Sequence, residues 1–170
     1  MSAPDYLVTD LGEWDDLDSF TCGTPALDVW LHETARRAQK AGTVRVRLLR
    51  SCDAGQLVGY YAVCPTEVLR EELALSSKVR AASSRVPGFM LAKLAISAEV
   101  QGRGLGRDLL VDALEHICEA SDLVGGRIVV VDPVDDRAAN FYARYGFSSI
   151  VGSTRMYLLV PDAKASLGLA

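Results

Sequence analysis

The sequence has no long apolar run. The 170-residue chain contains no stretch of about eighteen apolar residues, the length that a membrane-spanning helix needs. Its first ten residues, MSAPDYLVTD, lack the basic segment followed by an apolar one that marks a secretory signal peptide. We therefore expect neither a membrane span nor a signal peptide.

Cysteine and histidine are few and scattered. The chain holds four cysteines and two histidines: Cys22, Cys52, Cys64, Cys118, His32 and His116. No two cysteines form a C-x-x-C pair, and the histidines are far apart, so the sequence predicts no zinc or other metal site. We expect the cysteines to be reduced thiols and the protein to be cytoplasmic.

Positive charge is in the minority but is unevenly distributed. The net charge is −4 and the isoelectric point is near 5.2, which argues against a general affinity for nucleic acid. Residues 1–20 hold six acids and no base, whereas residues 30–50 hold six bases and one acid, or +6 − 1 = +5. The basic segment predicts either a local nucleic-acid contact or a solvated surface.

The periodicity predicts one domain, residues 1–170, with strands and helices in mixed order. Residues 24–42 predict a helix with Thr24 as its cap and Gly42 after its end. The segments TVRVRLLR and QLVGYYAV predict an antiparallel hairpin. The segments FMLAKLAI, RIVVVD and RMYLLV predict further strands, and helices are expected after the first two. Residues 66–88 favour helix and loop that end at Pro87–Gly88. The order predicts an α/β or α+β fold with a mixed sheet.

Three glycines separate a predicted buried strand from a predicted helix in VQGRGLG, residues 100–106. Such a turn exposes backbone N–H groups at a helix start, which suit a phosphate or pyrophosphate. Arg107 and Asp108 replace the Lys-Ser/Thr of a Walker motif, and Arg107 or Leu109 stands where the dinucleotide fingerprint needs glycine. The turn therefore predicts another phosphate ligand, or only a tight bend.

Gln101-Gly-Arg-Gly-Leu-Gly106 resembles the Q/R-x-x-G-x-G/A motif of the GCN5-related N-acetyltransferases, the GNAT family, and NFYARYGF is similar to the family's late aromatic motif. The resemblance implies a GNAT fold with a mixed, mostly antiparallel sheet of six to seven strands and about four helices. It implies acetyl-coenzyme A as co-substrate. The residues expected to bind it are Leu94, Ala95, Ile96, Gln101, Gly102, Arg103, Gly104, Leu105, Gly106, Arg107 and Asn140. Asn140 can bond the pantetheine arm or face solvent.

One branch of the family is more similar still. The segment from Phe20 to Val46 resembles the F-x-C-G and L-D-x-W-L opening of the GNAT toxins of bacterial toxin–antitoxin pairs, and KLAI resembles their R-L-A-V strand, with Lys93 in place of arginine. This resemblance implies acetylation of the α-amine of aminoacyl-tRNA, a block of translation, a ribbon–helix–helix antitoxin and a homodimer.

The resemblance also implies that Tyr142 is the catalytic proton donor. A phenol with a pKa of about 10 is neutral at pH 7 and can protonate a departing thiolate. The alternative is a core tyrosine, and Phe141, Tyr145 and Phe147 are expected to pack. A general base is not evident, although ordered water or Glu67 could serve. An α-amine with a pKa near 8 needs less deprotonation than a lysine, so the absence favours an aminoacyl substrate.

The candidate tRNA-binding residues are cations, each of which could equally be ordinary surface charge: Arg36, Arg37, Lys40, Arg45, Arg47, Arg85 and Lys93. Trp14 and Trp30 are expected in the core or at a dimer interface. Two alternatives to the toxin remain. One is an acetyltransferase of a small amine or a protein N-terminus, and the other is a non-catalytic coenzyme A-binding module.

Overall fold

The computed structural model describes residues 5–73 and 84–169. The strands within these ranges are β1 (Tyr6–Asp10), β2 (Arg45–Ser51), β3 (Leu57–Leu69), β4 (Arg85–Ile96), β5 (Ile128–Val131), β6 (Ser148–Ser149) and β7 (Met156–Leu159). The α-helices are α1 (Pro25–Val29), α2 (Arg36–Lys40), α3 (Leu105–Val124), α4 (Asp136–Arg144) and α5 (Val160–Leu167). A π-helical segment, Trp30–Ala35, joins α1 to α2, and short 3₁₀ turns are Arg70–Glu72 and Ala98–Val100.

The strands form a seven-stranded mixed sheet in the order β1-β2-β3-β4-β5-β7-β6. β4 pairs with β5 in parallel, whereas β1 with β2, β2 with β3, β5 with β7 and β6 with β7 are antiparallel. The predicted mixed, mostly antiparallel sheet of six to seven strands is confirmed. The backbone stays right-handed helical across both ends of the π segment, so α1 and α2 belong to one continuous run, and the described residues hold about four helical bodies.

The chain divides into two compact units. The first unit is Met1–Cys64 with Lys93–Ala113, and the second is Pro65–Ala92 with Leu114–Ala170. The single domain over residues 1–170 stays a prediction.

The first unit contains the predicted hairpin and the predicted helix. β2 and β3 pair with Val46 opposite Ala62 and Leu48 opposite Tyr60, which confirms the hairpin. The helical run places buried Leu31 and Ala35 in the same apolar core as these strand side chains. Truncation of a fully buried leucine such as Leu31 typically costs about 2–5 kcal/mol of stability. This core holds the helical run in place.

The start of α1 differs from the prediction in one detail. The Thr24 side chain makes no capping hydrogen bond. Its carbonyl oxygen instead accepts the N–H groups of Leu27 and Asp28, and Pro25 occupies the first helical turn as expected. Thr24 is thus the N-cap residue, as predicted, but it caps the helix without a side-chain hydrogen bond.

The second unit is built around β5. All four residues of β5, Ile128–Val131, are buried and β-branched, and they lie between β4 on one side and β7 on the other. Side chains of β5 pack with Val68, Val86 and Ile150 in a second apolar core. A strand paired on both edges and covered on both faces reads as continuous apolar sequence, as RIVVVD does.

Within residues 66–88 the structure differs in part from the predicted helix and loop. β3 continues to Leu69, and β4 begins at Arg85 rather than after Gly88. Pro87 lies within β4, where it has no N–H to donate, and its carbonyl accepts the Arg127 N–H at 2.8 Å. The expected helix and loop between residues 74 and 83 lie outside the described residues.

The sequence also did not predict β1, β6 or α5. No helix within the described ranges is long and apolar enough to span a membrane.

Gly88 offers a test of the β4–β5 pairing. A Cβ atom at this position would lie 2.2 Å from the backbone oxygen of Ile128, a carbonyl that cannot rotate away. We expect Gly88→Ala to lower the free energy of unfolding by about 3 kcal/mol in a urea titration. At Gly42, φ is +77° but a Cβ meets no atom within 4 Å, so Gly42→Ala should cost only about 1 kcal/mol. Equal losses would contradict the close approach.

Candidate active site

The glycine turn lies between the end of β4 and the start of α3, in the first unit. Gly102 and Gly104 have φ of +81° and +80°, a conformation that residues with a Cβ rarely adopt. A Cβ at either position would meet no atom within 4 Å. The glycines therefore serve the backbone conformation and leave the space beside the turn open. That open space is what a bulky phosphate needs.

Backbone donors face this opening. The Asp108 N–H donates to the Gly104 carbonyl at 3.3 Å, which is the first hydrogen bond of the helix start. The N–H groups of Leu105, Gly106 and Arg107 lie ahead of that bond and point out of the helix end. α3 has 20 residues, so the positive end of its dipole adds to these donors. The turn can bind an anion through its backbone.

The side chains of the turn differ in what they can contribute. Leu105 is buried in the core, so only its backbone can serve a ligand. The Arg107 guanidinium forms an ion pair with the adjacent Asp108 carboxylate, with Nη2 and Oδ1 3.0 Å apart. Arg103 is exposed and has no ion pair among the described residues. Arg103 is therefore the side chain of the turn best placed to meet an added phosphate.

Gln101 anchors the turn. Its side-chain Nε2 donates to the Cys22 carbonyl at 2.7 Å and to the Ile96 carbonyl at 2.9 Å. Both N–H groups of this amide are thereby directed to the chain itself. The structure thus gives Gln101, a predicted acetyl-coenzyme A ligand, a direct role in holding the turn.

The predicted carbonyl-binding residues form the end of β4. Ala95 is buried in the first unit's core, and Leu94 and Ile96 are half-buried. The pairing of β4 with β5 covers Gly88 to Leu91, and these three residues lie beyond that stretch. Because their side chains are apolar, any contact with a thioester carbonyl is made by backbone N–H groups.

Tyr142 lies on α4, in the second unit. Asp135 caps this helix by accepting the Ala138 N–H at 2.8 Å, as the acidic start of the segment predicted. The Tyr142 ring is 7% exposed and lies edge-on to Phe141 and Phe147, each with centroids 5.3 Å away. Its hydroxyl has no hydrogen-bond partner in the described part of the chain. Burial raises the pKa of Tyr142 above its ordinary value, so the phenol stays protonated at neutral pH.

The neighbours of Tyr142 have packing roles. Phe141 also contacts Tyr145, with centroids 5.1 Å apart. Phe147 is buried, which agrees with the expectation that Phe141, Tyr145 and Phe147 are packing residues. Asn140 is exposed on the same helix.

Acids of the N-terminal segment hold several of the predicted tRNA-binding cations. The Arg36 guanidinium donates to the Asp15 carbonyl at 2.5 Å, and the Arg50 guanidinium pairs with the Asp15 carboxylate. Arg47 pairs with Asp10, with Nε and Oδ1 3.6 Å apart. Two of the six acids of residues 1–20, Asp10 and Asp15, thus neutralise part of the basic segment that follows them.

Two exposed cations of the helical run make no ion pair with these acids. Arg37 and Lys40 are exposed, and no carboxylate pairs with them in the described ranges. Arg45 is also exposed and donates to the Gln39 carbonyl at 3.5 Å. These three residues are half of the six exposed cations in the described part of the first unit, and the other three are Arg36, Arg103 and Arg107.

Lys93 is held by an aromatic stack. Its Nζ lies 5.5 Å from the ring centroid of Trp30, which stacks on Tyr60 at 6.0 Å with 8° between the planes. Trp30 is half-buried and packs against the first unit's core, as expected. Trp14 is 90% exposed, so it is not a core residue and only the dimer-interface alternative stays a prediction for it. The Lys93 ammonium is thus a fixed cation one residue before Leu94.

Arg85 and Glu67 belong to the second unit and contact each other. Their side chains form an ion pair, and both are more than half exposed. Glu67, the side chain that could serve as a general base, is therefore paired with Arg85, which is expected to bind tRNA.

Some residues that support the site were not predicted. The Asp28 carboxylate accepts hydrogen bonds from Thr21 and Cys22. Asp28 is the aspartate of the L-D-x-W-L pattern, but the pattern alone did not predict these contacts. The Tyr61 hydroxyl donates to the Asp112 carboxylate at 2.7 Å, and burial together with this bond raises the pKa of Tyr61. Those two residues are 51 positions apart, so no local pattern could have paired them.

Comparison with known proteins identifies the family. The family model described as "Acetyltransferase (GNAT) domain" matches residues 28–149, which include parts of both units. The chain belongs to the GNAT acetyltransferase family. The fold, the acetyltransferase class and the use of acetyl-coenzyme A that the resemblance implied are confirmed.

This GNAT chain is also similar to a curated relative and to three solved structures. It is 33% identical over 159 residues to the "tRNA-acetylating toxin" of Mycobacterium tuberculosis strain H37Rv, which covers 93% of this chain and 94% of the relative. A tyrosine-to-phenylalanine mutant of KacT has a TM-score of 0.90, 25% identity, and covers 96% of this chain and 99% of its own. The structure of AtaTR bound with acetyl-coenzyme A has a TM-score of 0.84 and 27% identity, and the match covers 95% of this chain and 98% of that one. The structure of AtaT complexed with acetyl-methionyl-tRNAfMet has a TM-score of 0.86 and 27% identity, and the match covers 97% of this chain and 98% of that one.

The glycine turn can be tested by binding. Gly104→Ala adds a methyl group to a backbone at φ +80° and places it in the open space beside the turn. We expect the dissociation constant for coenzyme A, measured by calorimetry, to rise more than about 10-fold. Gly55→Ala is the control, because Gly55 also has positive φ and open surroundings but lies in the β2–β3 turn. Equal affinities in the two variants would contradict a site at the glycine turn.

Proposed function

We propose that this protein transfers the acetyl group of acetyl-coenzyme A to the α-amine of aminoacyl-tRNA, and that it thereby acts as a toxin that blocks translation. The observation that carries the proposal is the open glycine turn at the start of α3, in a chain 33% identical to a tRNA-acetylating toxin. The solved complex of AtaT with acetyl-methionyl-tRNAfMet supports the substrate, because acetyl-methionyl-tRNA is the product of such a reaction.

The turn is proposed to bind the pyrophosphate of acetyl-coenzyme A. The N–H groups of residues 102–107 supply donors, and the exposed Arg103 supplies a positive charge. The absence of Cβ atoms at Gly102 and Gly104 leaves room for the diphosphate. Backbone N–H groups of Leu94, Ala95 and Ile96 are proposed to polarise the thioester carbonyl, and Asn140 to contact the pantetheine arm.

The chemistry requires one proton transfer to sulfur. The amine nitrogen forms a bond to the carbonyl carbon, the carbon–sulfur bond breaks, and the thiolate takes a proton. We assign that proton to the Tyr142 hydroxyl, while the attacking amine gives its own proton to water and a proton from water then restores the Tyr142 phenol. Because burial keeps the phenol protonated, Tyr142 imposes no loss of activity between about pH 6 and 9. The rate should instead rise with pH as the substrate amine loses its proton.

The cations of the first unit are proposed to contact tRNA. Arg37, Lys40 and Arg45 offer exposed charge on and beside the helical run, and Lys93 offers a fixed ammonium. Arg36 and Arg47 can contribute when phosphates displace their contacts to Asp15 and Asp10. Arg85 is proposed to contribute from the second unit.

The proposed substrate implies a cellular compartment for the reaction. Charged tRNA is cytoplasmic, and the four cysteines are free thiols, as expected in a reducing compartment. A ribbon–helix–helix antitoxin is the proposed partner, and a homodimer of single-domain chains is the proposed assembly. The exposed Trp14 is available for such an interface.

One observation favours a second candidate, acetylation of a small amine or a protein N-terminus. Part of the basic segment is neutralised by Asp10 and Asp15, and the net charge is −4. A small-amine enzyme would acetylate free amines rapidly and would leave cell-free translation unaffected.

Substitution of Tyr142 tests the proposed function. Tyr142→Phe should bind acetyl-coenzyme A normally, but transfer of labelled acetyl to bulk charged tRNA should fall by about 100-fold or more. Inhibition of cell-free translation should fall with it. Tyr145→Phe is the control, because it removes a hydroxyl from the same helix segment and should retain activity. Comparable activity of Tyr142→Phe and the wild type would contradict the assignment.

The exposed cations test the nucleic-acid substrate. The double substitution Arg37→Ala with Lys40→Ala should weaken binding of charged tRNA and reduce the slope of log affinity against log salt by about 1 to 2. Affinity for coenzyme A should not change. Arg127→Ala removes an exposed arginine from the second unit and serves as the control. An unchanged salt slope in the double variant would favour the small-amine alternative.

A further inference from the structure

The Asp28 carboxylate, in α1, binds the preceding loop with both oxygens. Oδ1 accepts the Cys22 N–H at 2.8 Å, and Oδ2 accepts the Thr21 hydroxyl at 3.0 Å. Burial alone would raise the pKa of Asp28, but the hydrogen bonds from Cys22 and Thr21 outweigh it, and the pKa is lowered. The carboxylate is therefore ionised, and its hydrogen bonds are charge-assisted.

The same two loop residues bind the segment that leads into the glycine turn. The Thr21 carbonyl accepts the Ala98 N–H at 2.9 Å, and the Cys22 carbonyl accepts Gln101 Nε2 at 2.7 Å. Gln101 Nε2 also donates to the Ile96 carbonyl at 2.9 Å. Each of these loop residues thus donates one hydrogen bond to Asp28 and accepts another from the segment that leads into the turn.

These contacts form a continuous path from α1 to the turn. Asp28 fixes the donors of Thr21 and Cys22, and the carbonyls of those residues then fix Ala98 and Gln101. Gln101 immediately precedes Gly102, the first glycine with positive φ. A shift of the loop would therefore be transmitted to the N–H groups at the start of α3.

The core does not need this path to hold α1. The helical run is anchored by Leu27 and Leu31, which are buried in the first unit's core, whereas Asp28 is only half-buried. Removal of a partly exposed carboxylate disturbs stability less than removal of such leucines does. The arrangement of Asp28 is thus better explained by what it positions than by what it stabilises.

We propose that Asp28 is a positioning residue for acetyl-coenzyme A, acting through Thr21, Cys22 and Gln101 on the glycine turn. This inference rests on the proposed binding of the pyrophosphate by that turn. Asp28 does not touch the co-substrate. It sets the orientation of the donors that do.

The test compares three variants with the wild type in binding and in kinetics. Asp28→Ala should raise the dissociation constant for coenzyme A, and the KM for acetyl-coenzyme A, about 10-fold. The KM for charged tRNA should stay within about 2-fold, which a general loosening of α1 would not allow. Asp28→Asn keeps Oδ1 as an acceptor for Cys22 and should restore most of the affinity. Asp53→Ala, which removes an exposed carboxylate that caps its own loop, is the control.

A double-mutant cycle tests the path itself. Gln101→Leu removes both donors of the Gln101 amide, and its effect on coenzyme A affinity should not add to that of Asp28→Ala. Should Asp28→Ala fail to fold, Thr21→Val replaces it in the cycle. Full additivity, or wild-type affinity in Asp28→Ala, would overturn the proposal. If Gly104→Ala weakens binding while Asp28→Ala does not, the positioning role fails alone. If Gly104→Ala also binds normally, the turn is not the site.

Discussion

The site depends on a backbone conformation that only glycine adopts without strain. Gly102 and Gly104, with positive φ angles, turn the chain from the end of β4 into α3. The first N–H groups of α3 have no partners within the helix, as at every helix start. An anion can satisfy those donors, and acetyl-coenzyme A carries a diphosphate. The hydrogen bonds of Gln101 fix where the turn lies. The proposed chemistry at Tyr142 requires the thioester to be delivered in a defined orientation, so it depends on this turn.

Electrostatics explains how an acidic chain can serve a nucleic-acid substrate. The acids near the N-terminus are placed against bases of the helical run and β2, as the contacts of Asp15 with Arg36 and Arg50 show. Ion pairs at a protein surface are weak, typically under about 1 kcal/mol, so a polyanion can compete with a pair such as Arg47–Asp10, whose aspartate is exposed. The net charge of −4 therefore describes the whole chain, whereas residues 30–50 carry a local excess of positive charge.

Elements with a strong local pattern were predictable, and contacts between distant residues were not. The β2–β3 hairpin, the buried β5 and the turn before α3 follow from alternation, apolar runs and glycine spacing. The two-residue β6 is too short to leave a pattern, and the π segment Trp30–Ala35 has the same apolar spacing as an α-helix. Pro87 suggested a boundary because its missing N–H usually ends an element, yet it lies within β4. The role of Asp28 depends on partners brought together by folding, so only its place in a family motif was visible.

A structure determined with coenzyme A bound would show whether the glycine turn binds the pyrophosphate. We expect the pyrophosphate to lie at the turn, with its oxygens about 3 Å from backbone nitrogens of residues 102–107 and with the Gln101 side chain still bonded to the Cys22 and Ile96 carbonyls. A coenzyme A molecule bound elsewhere, with those nitrogens facing only solvent, would contradict this expectation.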